Sequence, residues 1–195
     1  MKILELPPSD SPAAPRAPGL AFSLIYGSVS FGGVSVLAYS IWAYNLIPGN
    51  AAMYSATAAV YLGLSGLALS RLVAVPGAWK RLPVLLAAAF LAYAVCWCAG
   101  WFGLKGKYHA DLWGAAAGLA AMTWIVRRAF GRRGDFLPAF AVLFLLHSFG
   151  YSLGGDLYGA VRGSTGRLLW GAAHGLGFGA GLGYVLFDSQ ARTRT

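Results

Sequence analysis

The 195 residues are 58% hydrophobic and only 11% charged, with a mean hydropathy of +0.62 and a formal net charge of +9. A soluble domain needs about 25% charged residues to clothe its water-facing surface, so composition excludes an ordinary soluble globule. The positive charge does not point to nucleic acid either, because the 15 Lys and Arg lie in short segments between apolar blocks. Those blocks approach the ~20 residues that cross about 30 Å of hydrocarbon.

Residues 1–18 hold Pro7, Pro8, Pro12, Pro15 and Pro18 among small and polar residues, the composition of a disordered tail. The apolar run that follows is too long for the core of a signal peptide. Six spans are expected in the transmembrane region 19–188. The first is Leu20–Ile47, ended by Pro48-Gly49-Asn50, and the second is Ala52–Val73. Leu82–Leu104 forms the third, closed by Lys105-Gly106-Lys107, and His109–Phe130 the fourth. The fifth is Phe136–Gly154, stopped by Gly154-Gly155-Asp156, and the sixth is Leu168–Phe187. Residues 189–195 make a short polar tail. The fold class is therefore an all-α, polytopic transmembrane helical bundle, with the lipid bilayer as its first partner.

Orientation follows from the cations. With the N-terminus inside, the inner segments hold Lys2, Arg16, Arg71, Lys80, Arg81, Arg127, Arg128, Arg132, Arg133, Arg192 and Arg194. The outer loops hold only Lys105, Lys107, Arg162 and Arg167. Positive residues concentrate on the cytoplasmic side, so both termini are expected there, in the cell (inner) membrane.

A repeat is visible. Leu112-Trp113-Gly114-Ala115-Ala116-Ala117-Gly118-Leu119 matches Leu169-Trp170-Gly171-Ala172-Ala173-His174-Gly175-Leu176 at seven of eight positions. Each segment opens the second helix of a hairpin, which predicts three helical hairpins of about 55 residues, the first much diverged.

Apolarity does not drive helices together in lipid, whereas close packing of small residues does. Gly171, Gly175, Gly179 and Gly183 recur every four residues, with Gly177 and Gly181 on another side, so the sixth helix is expected at the centre. Gly114 and Gly118 repeat the device. These faces allow a second reading, an accessory subunit that packs against a membrane partner or a second copy through its glycines. The Tyr93, Trp97 and Trp101 stripe reads as packing or as an interfacial belt, and Trp113 and Trp170 as belt residues.

The polar residues fall in the outer half. Tyr108, His109 and Asp111 open the fourth span, and Ser148, Tyr151, Ser152 and Asp156 close the fifth. By rise per residue, His147 and His174 sit roughly 10 Å below the outer boundary at similar depth. His174 replaces Ala117 of the repeat on an otherwise kept scaffold, which marks it beyond the needs of packing. Polar groups at membrane depth are costly and usually have partners. An outward-facing pocket of His147, Ser148, Tyr151, Ser152, Asp156 and His174 is therefore expected, open to a small ligand. His147, His174, His109 and Asp111 are the candidate ligands for a metal ion, and the two deeper histidines for haem, since imidazole suits Zn, Cu and Fe. Ser152 with His174 is a candidate nucleophile and base. Gly150-Tyr151-Ser152-Leu153-Gly154 fits G-x-S-x-G, a pattern that signifies only on a strand–turn–helix elbow, absent from this helical chain. In a fourth reading the cluster lines the vestibule of a channel or transporter, with Arg162 and Arg167 attracting anions.

Other chemistries are excluded. No Lys lies within a span, which rules out an intramembrane Schiff base. Glu5 is the sole Glu, and no Asp lies near mid-span, which argues against proton pumping and cation-coupled transport. Cys96 and Cys98, two apart on a helix, point to different sides and form neither a metal pair nor a disulfide.

Overall fold

The computed structural model describes residues 17–75, 77–131 and 136–190. Most of the expected proline-rich tail, residues 1–16, and most of the C-terminal tail lie outside these residues, as do Arg132 and Arg133. The described chain is six α-helices: α1 (Leu20–Ala43), α2 (Asn50–Ala68), α3 (Ala78–Gly103), α4 (Ala110–Ala129), α5 (Phe136–Val161) and α6 (Gly163–Ser189). A 3-10 turn, Ser70–Leu72, follows α2. Four helical segments are long and apolar enough to cross a membrane: α1, Asn50–Leu72, α3 and α5. The two that fall short have reasons in their sequences. Asp111, Arg127 and Arg128 sit in the end turns of α4, and α6 is diluted with glycine.

Helix ends follow local chemistry. α1 stops at Ala43 rather than Ile47, because Asn45 adopts a left-handed φ of 52°. The Leu46 N–H then donates to Ile41 O at 3.0 Å and the Asn45 N–H to Trp42 O at 3.3 Å. These two bonds close orphan carbonyls in the Schellman manner, and Asn is the residue best suited to the left-handed position after Gly. α3 ends the same way, with Gly106 N–H on Trp101 O and Lys105 N–H on Phe102 O.

The last two helices are longer than the sequence predicts. α5 runs through Gly154-Gly155-Asp156 to Val161, and α6 starts at Gly163 instead of Leu168. One residue, Arg162 (φ 55°), makes the corner. Gly154 does not stop α5 because it serves close packing: an added Cβ there would lie 2.9 Å from Trp170 O.

Glycine notches set the packing. α6 lies antiparallel to α1 along Gly171, Gly175, Gly179 and Gly183. An added Cβ would meet Tyr39 Cγ at 2.6 Å from Gly171, Gly32 Cα at 2.9 Å from Gly175 and Phe31 Cβ at 2.7 Å from Gly179. At Gly183 it would meet the Ser23 carbonyl carbon at 2.9 Å. On its other side α6 lies antiparallel to α5, with Gly177 near Gly150 and Gly181 near Leu143. α6 is thus notched on two faces and held between α1 and α5. α4 packs antiparallel on α3 in the same style, an added Cβ at Gly114 meeting Trp97 Cα at 2.9 Å.

These contacts bear on the repeat. Gly114 and Gly118 face the preceding helix, α3, whereas the matched Gly171 and Gly175 face α1, five helices earlier. The two similar octapeptides therefore do not make equivalent contacts. The stripe read as a possible partner surface is already covered by the chain's own α1.

The core is aromatic at its centre. Phe31, Phe90 and Phe178 from α1, α3 and α6 meet with ring centroids 5.2–5.6 Å apart. Towards the end where the described chain begins and finishes, Arg127 of α4, 3% exposed, pairs with Asp188 of α6. Arg127 is thus a bundle residue and not a loop charge as the sequence implied. Gln190 accepts a hydrogen bond from Ala74 N–H at 2.9 Å and donates to Leu72 O and Leu186 O. It fastens the α2–α3 connection to the end of α6.

Candidate functional site

His147 of α5 and His174 of α6 face each other inside the bundle, 2% and 8% exposed. Their ring centroids are 4.9 Å apart and their planes nearly perpendicular, at 83°. The notches explain the meeting. With glycine at 150, 154 and 177, the α5 and α6 backbones approach closely, and the side chains one turn away project into a shared space. Phe178 lies below, its centroid 4.7 Å from His147 and 5.6 Å from His174. Tyr39 of α1 and Tyr151 of α5 stand beside His174, at 6.1 Å and 5.8 Å. Trp170 packs against both tyrosines.

The polar bookkeeping is incomplete here. His147 Nε2 shares a hydrogen bond of 2.9 Å with the Tyr93 hydroxyl, in which either group can donate. His147 Nδ1 and both nitrogens of His174 have no hydrogen-bond partner among the described residues. Ser148 Oγ and Trp170 Nε1 are likewise buried without one. A buried unsatisfied polar group costs about 1–3 kcal/mol, and nearly all such groups in native proteins find partners. Three imidazole nitrogens within one contact of each other are therefore the densest cluster of unpartnered polar atoms among the described residues. Elsewhere among the described residues the buried atoms without a partner are single ones, Ser23 Oγ, Thr123 Oγ1 and Arg167 Nε, and other polar groups are paired. Ser35 Oγ donates to Gly171 O at 2.7 Å and lies 2.7 Å from the Tyr61 hydroxyl.

Several expected members do not join. Ser152 and Asp156 are exposed on the outside of α5. Asp156 lies nine residues beyond His147, half a turn round the helix from it. Ser152 makes no hydrogen bond to His174, whose nitrogens are both without partners, so the nucleophile–base pair is not assembled. His109 is exposed at the start of α4 with φ 56°, away from the two buried histidines. Asp111 is half-buried in the first turn of α4. Among the described residues no group of three or more His, Cys, Asp and Glu side chains is placed to hold a metal ion. Haem does not fit between the histidines. Imidazoles on opposite faces of one iron hold their centroids about 6 Å apart across a porphyrin-wide slot, whereas here the rings are 4.9 Å apart with Phe178 against both.

The depth also differs from expectation. His174 is eleven residues into α6 and His147 fourteen residues from the end of α5. At ~1.5 Å per residue they lie roughly 16 and 21 Å from the α5–α6 corner, near mid-length of both helices. The longer helices account for the change.

Tyr39 and Tyr93 were missed as site residues. The available signal was a tyrosine within an apolar span, since a buried Tyr hydroxyl usually seeks a partner. Arg167, read as an anion attractor, is engaged. It stacks on Trp42 at 4.6 Å and donates to Trp42 O at 2.7 Å. Arg162 is exposed at the corner.

Neither protein-family models, curated proteins nor solved structures yield a match to this chain.

Proposed function

We propose that this chain is a multi-pass membrane protein that crosses the bilayer six times and binds a small ligand at the His147–His174 pair. Both ends of the described chain lie on one side of the bundle, where Ser23 meets Gly183, and the count of cations makes that side cytoplasmic. α4 and α6 cross as packed helices whose shortfall in apolarity is offset by protein neighbours. The observation that carries the reading is His174, 8% exposed with both nitrogens unpartnered. A ligand that engages an imidazole lone pair would relieve that deficit. The accessory-subunit alternative is weakened by α1, which occupies the glycine face such a partner would need.

Accessibility of the imidazoles tests the reading. The detergent-purified protein is treated with diethyl pyrocarbonate, and each histidine is followed by peptide mass spectrometry. A ligand site admits the reagent, so His174 reacts within about tenfold of the rate of exposed His109. Labelling of His109 alone would show His147 and His174 to be closed core, and the proposal would fall.

A further inference from the structure

Resting on that site, we infer that its ligand is a transition-metal ion of the zinc–copper class, held between His147 and His174. Three observations converge on a cation that takes nitrogen.

The first is separation. One ion about 2.0–2.1 Å from a nitrogen of each imidazole, with an N–metal–N angle near 90–110°, sets the ring centroids roughly 4.5–5.2 Å apart. The observed 4.9 Å falls within that span. Perpendicular planes are compatible with it, because an ion at a point on the line where the two planes intersect lies in both ring planes, and a lone pair from each ring can converge on it.

The second is the hydrogen bond on the far side of His147. Metal-bound imidazoles use their other nitrogen to anchor on a fixed polar group, which sets the tautomer and the ring orientation. Tyr93 plays that part at Nε2. When Nε2–H donates to the phenol oxygen, Nδ1 is left with the lone pair, and Nδ1 is the nitrogen without a partner.

The third is the neighbourhood. Tyr151 and Tyr39 stand beside His174, so a phenol oxygen or a water is the natural third ligand. Such an oxygen is required, because the described residues offer no third His, Cys, Asp or Glu at the site. Two imidazoles with an oxygen suit zinc and copper and are poor for magnesium or calcium, which demand oxygen throughout.

The experiment loads the purified full chain with Zn²⁺, and separately with Cu²⁺, removes unbound metal by desalting, and counts the metal retained. One equivalent is expected in the wild type and less than a tenth in His147→Phe and His174→Phe. Tyr93→Phe should keep the stoichiometry while weakening affinity about 10–100-fold, the usual effect of losing an anchoring partner. The ion should also protect His147 and His174, but not His109, from diethyl pyrocarbonate in the unmutated protein. That arm needs no variant to fold. No retained metal, or retention unchanged in His174→Phe, overturns the inference. If His174 is then still labelled by the reagent, the ligand site stands and its occupant is not a metal. If His174 is never labelled, the site itself fails.

Discussion

Replacing Gly179 by alanine puts a methyl group into the closest approach of α1 and α6. The new Cβ would lie 2.7 Å from Phe31 Cβ and 2.9 Å from the carbonyl carbon of Gly27. Ordinary contact begins near 3.4 Å, so α1 must retreat by more than half an ångström. A gap of 0.5–1 Å forfeits about a quarter to a half of each neighbouring dispersion well, and the obstructing atoms include main chain, which has no rotamer to change. Overpacking of this kind costs about 3 kcal/mol at the upper end of its usual range. Alanine returns about 1 kcal/mol of helix propensity, for a net loss of about 2 kcal/mol. Gly63→Ala is the matched control, because nothing lies within 4 Å of its added Cβ. It should be neutral or slightly stabilising. Thermal unfolding in detergent, followed by the loss of helical circular dichroism, separates the two. At about 2–4 °C per kcal/mol for a chain of this size, Gly179→Ala should melt about 4–8 °C below wild type and Gly63→Ala no lower than wild type. Equal melting points for the two variants would refute the argument that α6 is seated on α1 through this stripe.

Asp188→Ala should destabilise by about 3 kcal/mol, since it withdraws the carboxylate from an arginine that is 3% exposed. The double variant Arg127→Met/Asp188→Leu should recover most of that loss in the same assay. Gln190→Ala removes the acceptor from the buried Ala74 N–H and should cost about 1–3 kcal/mol, with faster proteolysis of the 69–77 connection as a second readout. A reporter fused after Thr195 should be active only as a cytoplasmic fusion. Periplasmic activity would invert the orientation derived from the cations.

How far the sequence could be read is clearest at particular residues. The apolar blocks gave all six helices, and His174 stood out because a histidine replaced Ala117 on a repeated scaffold. The fifth and sixth helices were cut short because Gly154-Gly155-Asp156 has the composition of a turn in water. Within a bundle a glycine can instead seat a neighbour, as Gly154 seats Trp170, and the helix continues. That same Trp170 was read as an interfacial belt residue. Helical phase would have separated Ser152 and Asp156 from the site, since both lie off the face that carries His147. Tyr93 was assigned to packing along with Trp97 and Trp101. Those two stack on each other with centroids 5.5 Å apart, whereas Tyr93 reaches across to His147. No spacing rule within one helix reveals which helix lies opposite.

The seating of α6 on α1 has a consequence for assembly. α1 is made well before α6, the helix against whose glycines it packs. Until Gly171–Gly183 emerge from the translocation machinery, the Gly27–Ser35 face of α1 must wait in lipid or be held by a chaperone. Membrane insertion can proceed helix by helix, but closure of the bundle depends on a contact between helices far apart in sequence, and contacts of that kind form late.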